Sequence, residues 1–261
     1  INDFFPPAWE FATVDGKKWA WPWYYSSEGE WAVNTTIVEE AGAQDLLPQA
    51  PAYAWTPEQM LELAKACTFK RDNGEEVWGI GLWSNETQGI NIWPLWSFAY
   101  MFGAKLYDET TRKSDFGGEA GVKAFQFMDD LVNTNAVAPP GAAGLTGDNI
   151  NELWNRKQLA IRISGGVETL IGLQKALEAG TIQGPFEVLP TQPPTAEGLP
   201  VRTNGGIGVQ MVFHQNDPAK LQAVMDFAHW LTNADNMKIL GNLTPLTARQ
   251  STTAELAKDD P

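Results

Sequence analysis

Capped helical patterns alternate with short β-rich runs along this chain, and that alternation narrows the fold more than any other feature. The stretch TPEQMLELAKAC opens with Thr56 in the N-cap position, Pro57 first in the helix and Gln59 at the third, the pattern of a capping box. Met60, Leu61, Ala64 and Cys67 then share one face. EAGVKAFQFMDDLVN puts Val122, Phe125, Met128, Leu131 and Val132 on one stripe, and DNINELW reads as a short helix capped by Asp148. GVETLIGLQKALEAG stops at Gly180, a residue suited to the position after a C-cap. NDPAKLQAVMDFAHWLTN starts at Asp217-Pro218 and turns Leu221, Val224, Ala228 and Leu231 to one side. Between these lie KKWAWP, VWGIGLW, QLAIRIS, FEVLP and GIGVQMVF, apolar or β-rich runs bounded by Gly, Pro or Asn. Strands alternating with helices give an α/β class, with Pro/Gly-rich loops at 136–147 and 189–200.

Charge and composition exclude several functions. A net charge of −14, from 32 acidic and 18 basic residues, repels phosphate backbones, so nucleic acid is not an expected partner. Acidic small molecules require a local Arg. One cysteine, Cys67, allows no internal disulfide, and with two His it leaves no expected metal or cofactor centre. Cys67 itself falls on an apolar helix face and reads as core. No apolar run approaches the ~20 residues of a membrane helix. The opening INDFFPPAWEF has neither a basic start nor an apolar signal core, and it lacks an initiator Met, so a processed chain or a piece of a longer one is expected. Nucleophile-elbow, P-loop, zincin and dinucleotide motifs are all missing from the sequence. Adjacent acidic pairs such as Glu39-Glu40 and Asp129-Asp130 read as solvated surface, which leaves Glu28 and Glu30 as the carboxylates to follow. An enzyme is therefore not the expected class.

Aromatic residues are the unusual feature: 12 Trp, 12 Phe and 5 Tyr, many of them expected in the core and the clustered ones at a site. Trp78, Trp154 and Trp230 read as core. Trp19, Trp21, Trp23 and Trp31 crowd one segment with Tyr24, Tyr25 and Glu28; Trp83, Trp93 and Trp96 crowd another with Asn85, Glu86 and Gln88. Rings mixed with amides and hydroxyls suit a pyranose, whose C–H faces lie on an indole while its hydroxyls meet planar donors and acceptors. Two glycine turns, Gly165-Gly166 before a helix and Asn204-Gly205-Gly206 before a strand, would let a ligand approach the main chain.

The order of these segments resembles the family 1 extracellular solute-binding proteins, the maltodextrin-binding-like receptors of ABC importers. DGKKWAWP resembles that family's approach to its hinge. WAVNTTIVEEAGAQ followed by WTPEQMLELAKA resembles the family's pattern at Asn34, Ala41, Gly42, Trp55 and Thr56. GGEAGVKAFQFMDDLV, NELWNRKQLAIRISGG, FEVLPTQPP, GGIGVQM and DPAKLQAVMDFAHWLTN follow in the family's order. Lys157-Gln158 stands where the family has Gly-Lys.

The resemblance implies a type II periplasmic-binding-protein fold, two α/β lobes joined by hinge strands, with lobe 1 incomplete. Residues 1–25 would be a lobe 1 remnant with the first hinge strand, 26–202 lobe 2, 203–241 a lobe 1 strand and helix, and 242–261 a return toward lobe 2. It implies a periplasmic or extracellular protein that binds a neutral carbohydrate in an interlobe cleft and delivers it to ABC permease subunits. The expected ligand residues are Trp21, Trp23, Tyr24, Tyr25, Glu28, Trp83, Asn85, Gln88, Trp93, Trp96, Gly165, Gly166, Asn204, Gly205 and Gly206. A polyamine ligand is the alternative, and a carbohydrate-active enzyme using Glu28 a remoter one. Alone, the lobe 1 remnant is expected to self-associate or to stay mobile.

Overall fold

The computed structural model describes residues 2–27, 29–85, 89–90, 92–108, 110–114, 116–163, 166–182, 184–203, 205–241 and 247–259. In chain order the elements are α1 (Pro6–Phe11), β1 (Thr13–Val14), β2 (Lys17–Lys18), β3 (Ala20–Ser27), β4 (Trp31–Asn34), α2 (Thr35–Glu40), α3 (Pro57–Ala66), β5 (Phe69–Lys70), β6 (Glu76–Ile80), β7 (Ser84–Asn85), β8 (Gly89–Ile90) and α4 (Ile92–Met101). Then come α5 (Glu119–Asp129), α6 (Gly147–Asn155), β9 (Leu159–Arg162), α7 (Val167–Glu178), β10 (Val188–Thr191), β11 (Gly205–Met211), α8 (Pro218–Leu231), α9 (Ala234–Gly241) and α10 (Gln250–Asp259). They form two compact units, a smaller one of Ile1–Ser27 with Gly205–Pro261 and a larger one of Glu28–Asn204.

The larger unit is built on a five-stranded sheet in the order β10-β4-β9-β6-β5. Only the β6–β9 pair is parallel. Every residue of β4 is buried, and its last one, Asn34, caps α2 by accepting from the Ile37 N–H. The capping box at Thr56 is formed, and Met60, Leu63, Ala64 and Cys67 are buried on α3. Helix α3 lies so close to β6 that a Cβ on Gly79 would meet the Ala64 carbonyl oxygen at 2.1 Å. The Thr68 hydroxyl ties the two together, accepting from the Gly79 N–H and donating to that same Ala64 oxygen.

Two helix readings need correction. Helix α6 is capped by Thr146, whose side chain accepts from the Asn149 N–H, so Asp148 lies in the first turn instead. On α5 the buried residues are Gly121 and Ala124, whereas Val122 is 60% and Phe125 41% exposed. Gly121, Ala124, half-buried Met128 and buried Leu131 follow one another at spacings of three and four, so the buried stripe runs one residue ahead of Val122 and Phe125; a π-turn follows at Asp130–Thr134. Gly180 follows α7 in the left-handed region, φ 68°, as expected.

In the smaller unit, β3 and β11 form an antiparallel pair. KKWAWP is not one strand. Asp15 and Gly16, at φ 51° and 72°, turn Lys17–Lys18 back onto Thr13–Val14, and the longer strand begins afresh at Ala20. Gly208 pairs with Tyr24 but Val209 pairs with Pro22, which makes Trp23 the extra residue of a bulge. Proline, lacking an N–H, is accommodated at such an irregularity. Arg249 knits the termini: it pairs with Asp3 at 2.9 Å and lies 4.6 Å over the Phe4 ring. Helix α10 packs on α9 in this unit. Asp217 caps α8 as expected, yet only Ala228 of that helix is buried. Leu221 is 40% exposed, and Trp230, read as core from sequence, is 57% exposed and stacked on Phe227. Trp154, by contrast, is a core residue of the larger unit.

Candidate functional site

Glu28, Gln88, Gly165 and Asn204 lie outside the described residues, as do the side chains of Tyr25, Asn85 and Trp93. The remaining candidates fall in both units.

In the smaller unit the bulge turns two rings onto β11. A Cβ on Gly208 would lie 1.8 Å from Tyr24 Cε1 and 2.6 Å from Trp23 Nε1, so both rings occupy the space above a glycine backbone. They meet edge to face, centroids 5.4 Å apart, and both stay half-exposed. Together they form an aromatic platform that stays accessible. Trp21, on the same strand, is otherwise engaged. Its Nε1 donates to Thr232 Oγ1 at 2.7 Å, and its ring packs against Phe4, Trp9 and His229. It also lines a cavity of about 460 Å³ with Trp9, Trp19 and Gln210. Gly205 and Gly206 open β11 opposite Ser27 and Ser26. Sequence reasoning missed Gly208, although a glycine inside an apolar strand pattern is a known sign of close approach.

In the larger unit Trp83 follows β6 and packs partly against two groups of buried residues, one with Ile80, Leu82 and Phe98 and one with Ile150, Trp154 and Leu159. It lines a groove of about 420 Å³ with Ser84, Phe125, Met128, Asp129 and Asn133. The Asn133 amide donates to Asp129 at 2.7 Å, so a carboxylate and an amide are held together at the rim. Trp96 is half-buried on α4. Gly166 is the N-cap of α7, without a side-chain cap.

Arg162, at the end of β9, was not singled out from sequence. Its Nε is closed off from solvent without a hydrogen-bond partner, and its guanidinium lies 5.9 Å from the Trp154 ring. Burial pushes its pKa down to about 10. Cys67 is fully buried, as expected of a core residue.

A model of the bacterial extracellular solute-binding proteins matches residues 1–260. The chain belongs to that family. A search of curated proteins returns no match. Among solved structures, an ABC transporter solute-binding protein of Thermotoga lettingae bound with α-D-tagatose is 21% identical, with a TM-score of 0.75 over 99% of this chain and 62% of that one. T. maritima MalE3 with maltose bound is 18% identical, TM-score 0.75, over 100% and 62%. The maltose/maltodextrin-binding domain MalE of Bdellovibrio bacteriovorus, bound to maltotriose, is 15% identical, TM-score 0.72, over 100% and 62%. At these identities the likeness shows the fold: this solute-binding chain has the type II periplasmic-binding-protein fold. It spans about three fifths of the length of those structures. The family is extracellular, which gives a periplasmic or extracellular location, and among the described residues no helix is long and apolar enough to cross a membrane.

Proposed function

We propose that this solute-binding chain is the ligand-binding part of an ABC importer, taking a neutral carbohydrate and passing it to permease subunits in the membrane. In this reading the larger unit is lobe 2 and the smaller unit belongs to lobe 1. The observation that carries it is the Trp23–Tyr24 platform over Gly208, two half-exposed rings fixed by a bulge in a family whose members bind solutes. An apolar sugar face stacks on such rings at little entropic cost, since they are already held. Three structurally similar proteins, solved with tagatose, maltose and maltotriose, support the ligand class. Binding without turnover is the mechanism, so oligosaccharides incubated with the chain should be recovered at unchanged length.

The test is a calorimetric and Trp-fluorescence titration of the full chain with D-tagatose, maltose, maltotriose and spermidine. A saturable response to a sugar, lost in Trp23→Ala, is expected. A response to spermidine alone would favour the polyamine reading that the net charge of −14 raises. A sugar response unchanged by Trp23→Ala would remove the platform from the site.

A further inference from the structure

The larger unit holds a second cavity, of about 360 Å³, where the end of β10 meets the loop after Pro51; its wall is mostly apolar with a few polar groups set in it. Its lining includes Glu30, Tyr53, Thr191, Gln192, Val201 and Thr203, of which only Glu30 was picked out from sequence. The volume is within the range of small-ligand pockets.

Three features mark it as built to receive a ligand. Thr191 is 4% exposed, and its hydroxyl is closed off from solvent with no hydrogen-bond partner. An orphaned buried hydroxyl costs stability, and an apolar residue of the same shape would avoid that cost. Tyr53 sits at φ 47°, a left-handed conformation that an aromatic residue rarely adopts without a constraint around it. That constraint is visible: the Gln192 N–H donates to the Tyr53 carbonyl at 3.3 Å, and the Gln192 carbonyl accepts from Trp55 Nε1 at 2.8 Å. Loop and strand end are thereby fixed against each other, and Tyr53 and Gln192 both line the cavity.

We propose that this cavity is a polyol subsite that takes the hydroxyl edge of one sugar ring. Gln192 and, once its side chain rotates toward the cavity, Thr191 would be its neutral hydrogen-bonding groups, Glu30 an acceptor, and Tyr53 with Val201 its apolar wall. The inference rests on the carbohydrate reading above. A hydroxylated ring fits this lining better than an ammonium ion does. Hydroxyl and amide side chains both donate and accept, and a sugar hydroxyl answers both, whereas an ammonium group only donates.

The experiment pairs binding with stability in two variants of the full chain, Thr191→Val and Gln192→Met. The probe is whichever of D-tagatose, maltose or maltotriose binds the unaltered chain most tightly. Thr191→Val keeps the side chain's shape and removes the orphan, so the ligand-free chain should melt at the same temperature or higher. Sugar affinity should nevertheless fall about fivefold, the value of one neutral hydrogen bond. Gln192→Met should weaken binding similarly, and the backbone amide resonances of Tyr53 and Gln192 should shift when the unaltered chain is saturated. Wild-type affinity in both variants, or unshifted resonances, would overturn the subsite and leave sugar binding intact. Failure of every sugar to bind would overturn both readings together.

Discussion

Replacing Gly208 with alanine puts a methyl group where two rings already lie. The added Cβ would stand 1.8 Å from Tyr24 Cε1, 2.1 Å from Tyr24 Cδ1 and 2.6 Å from Trp23 Nε1. Carbon atoms settle at roughly 3.5–4.0 Å, so the Tyr24 ring must retreat by about 2 Å. The strand cannot follow it easily, because Gly208 pairs with Tyr24 and Val209 with Pro22 on either side of the bulge. Tyr24 must therefore swing away and lose its edge-to-face contact with Trp23, worth about 0.5–1.5 kcal/mol. Overpacking of this kind costs about 1–3 kcal/mol in all. An opposing effect exists: Gly208 is not in the left-handed region, so alanine also stiffens the unfolded chain, a gain of about 0.4–1 kcal/mol. The clash outweighs that gain, and a net loss of about 1–2 kcal/mol is expected. In a unit of this size that lowers the melting temperature by about 4–16 °C. Amide exchange along Gly205–Met211 should speed up accordingly, and sugar affinity should drop because the platform is broken. A melting temperature within about 1 °C of the unaltered chain, with unchanged exchange and affinity, would refute the packing argument.

Other substitutions separate structure from binding. Gly79→Ala drives a methyl into the Ala64 carbonyl at 2.1 Å, where backbone rather than a side chain must move, and should cost about 3 kcal/mol or more in a denaturant melt. Arg162→Met should raise stability by about 1–3 kcal/mol in the same melt, since it removes a buried cation whose Nε has no hydrogen-bond partner. The folded pKa of Arg162, about 10, lies below its ordinary 12.5, so at neutral pH the penalty is fully present, and it is relieved only as pH rises through that window. Trp21→Phe should cost about 1 kcal/mol through the lost bond to Thr232 and leave sugar affinity unchanged; a large fall in affinity would return Trp21 to the ligand set.

What the sequence revealed and what it hid follow from how local each signal is. Thr56, Asp217 and Gly180 declare helix ends because a cap is completed within a few residues. The stripe through Val122 and Phe125 misled because the buried face of that helix is made by Gly121 and Ala124, small residues that carry little apolar signal. Trp154 and Trp230 look alike in sequence, one buried and one exposed, since what differs is the surface packed against each. Pro22 and Gly208 carried the sign of the bulge, but only the register of β3 on β11 shows that they act together. The second cavity was beyond reach. Tyr53 and Thr191 are far apart in the chain, and the hydrogen bonds around Gln192 bring them together.

Cys67, the chain's one cysteine, has practical value for measuring any of this. It is 0% exposed, and burial pushes its thiol up to about 12, so the reactive thiolate is scarce and shielded at neutral pH. The folded chain is therefore silent toward maleimide and iodoacetamide dyes. A cysteine engineered at an exposed position can carry a fluorophore alone, with no need to delete the native one, and the chain becomes a ready scaffold for an optical sensor. Any dye that does reach Cys67 counts the moments when the core around α3 comes open.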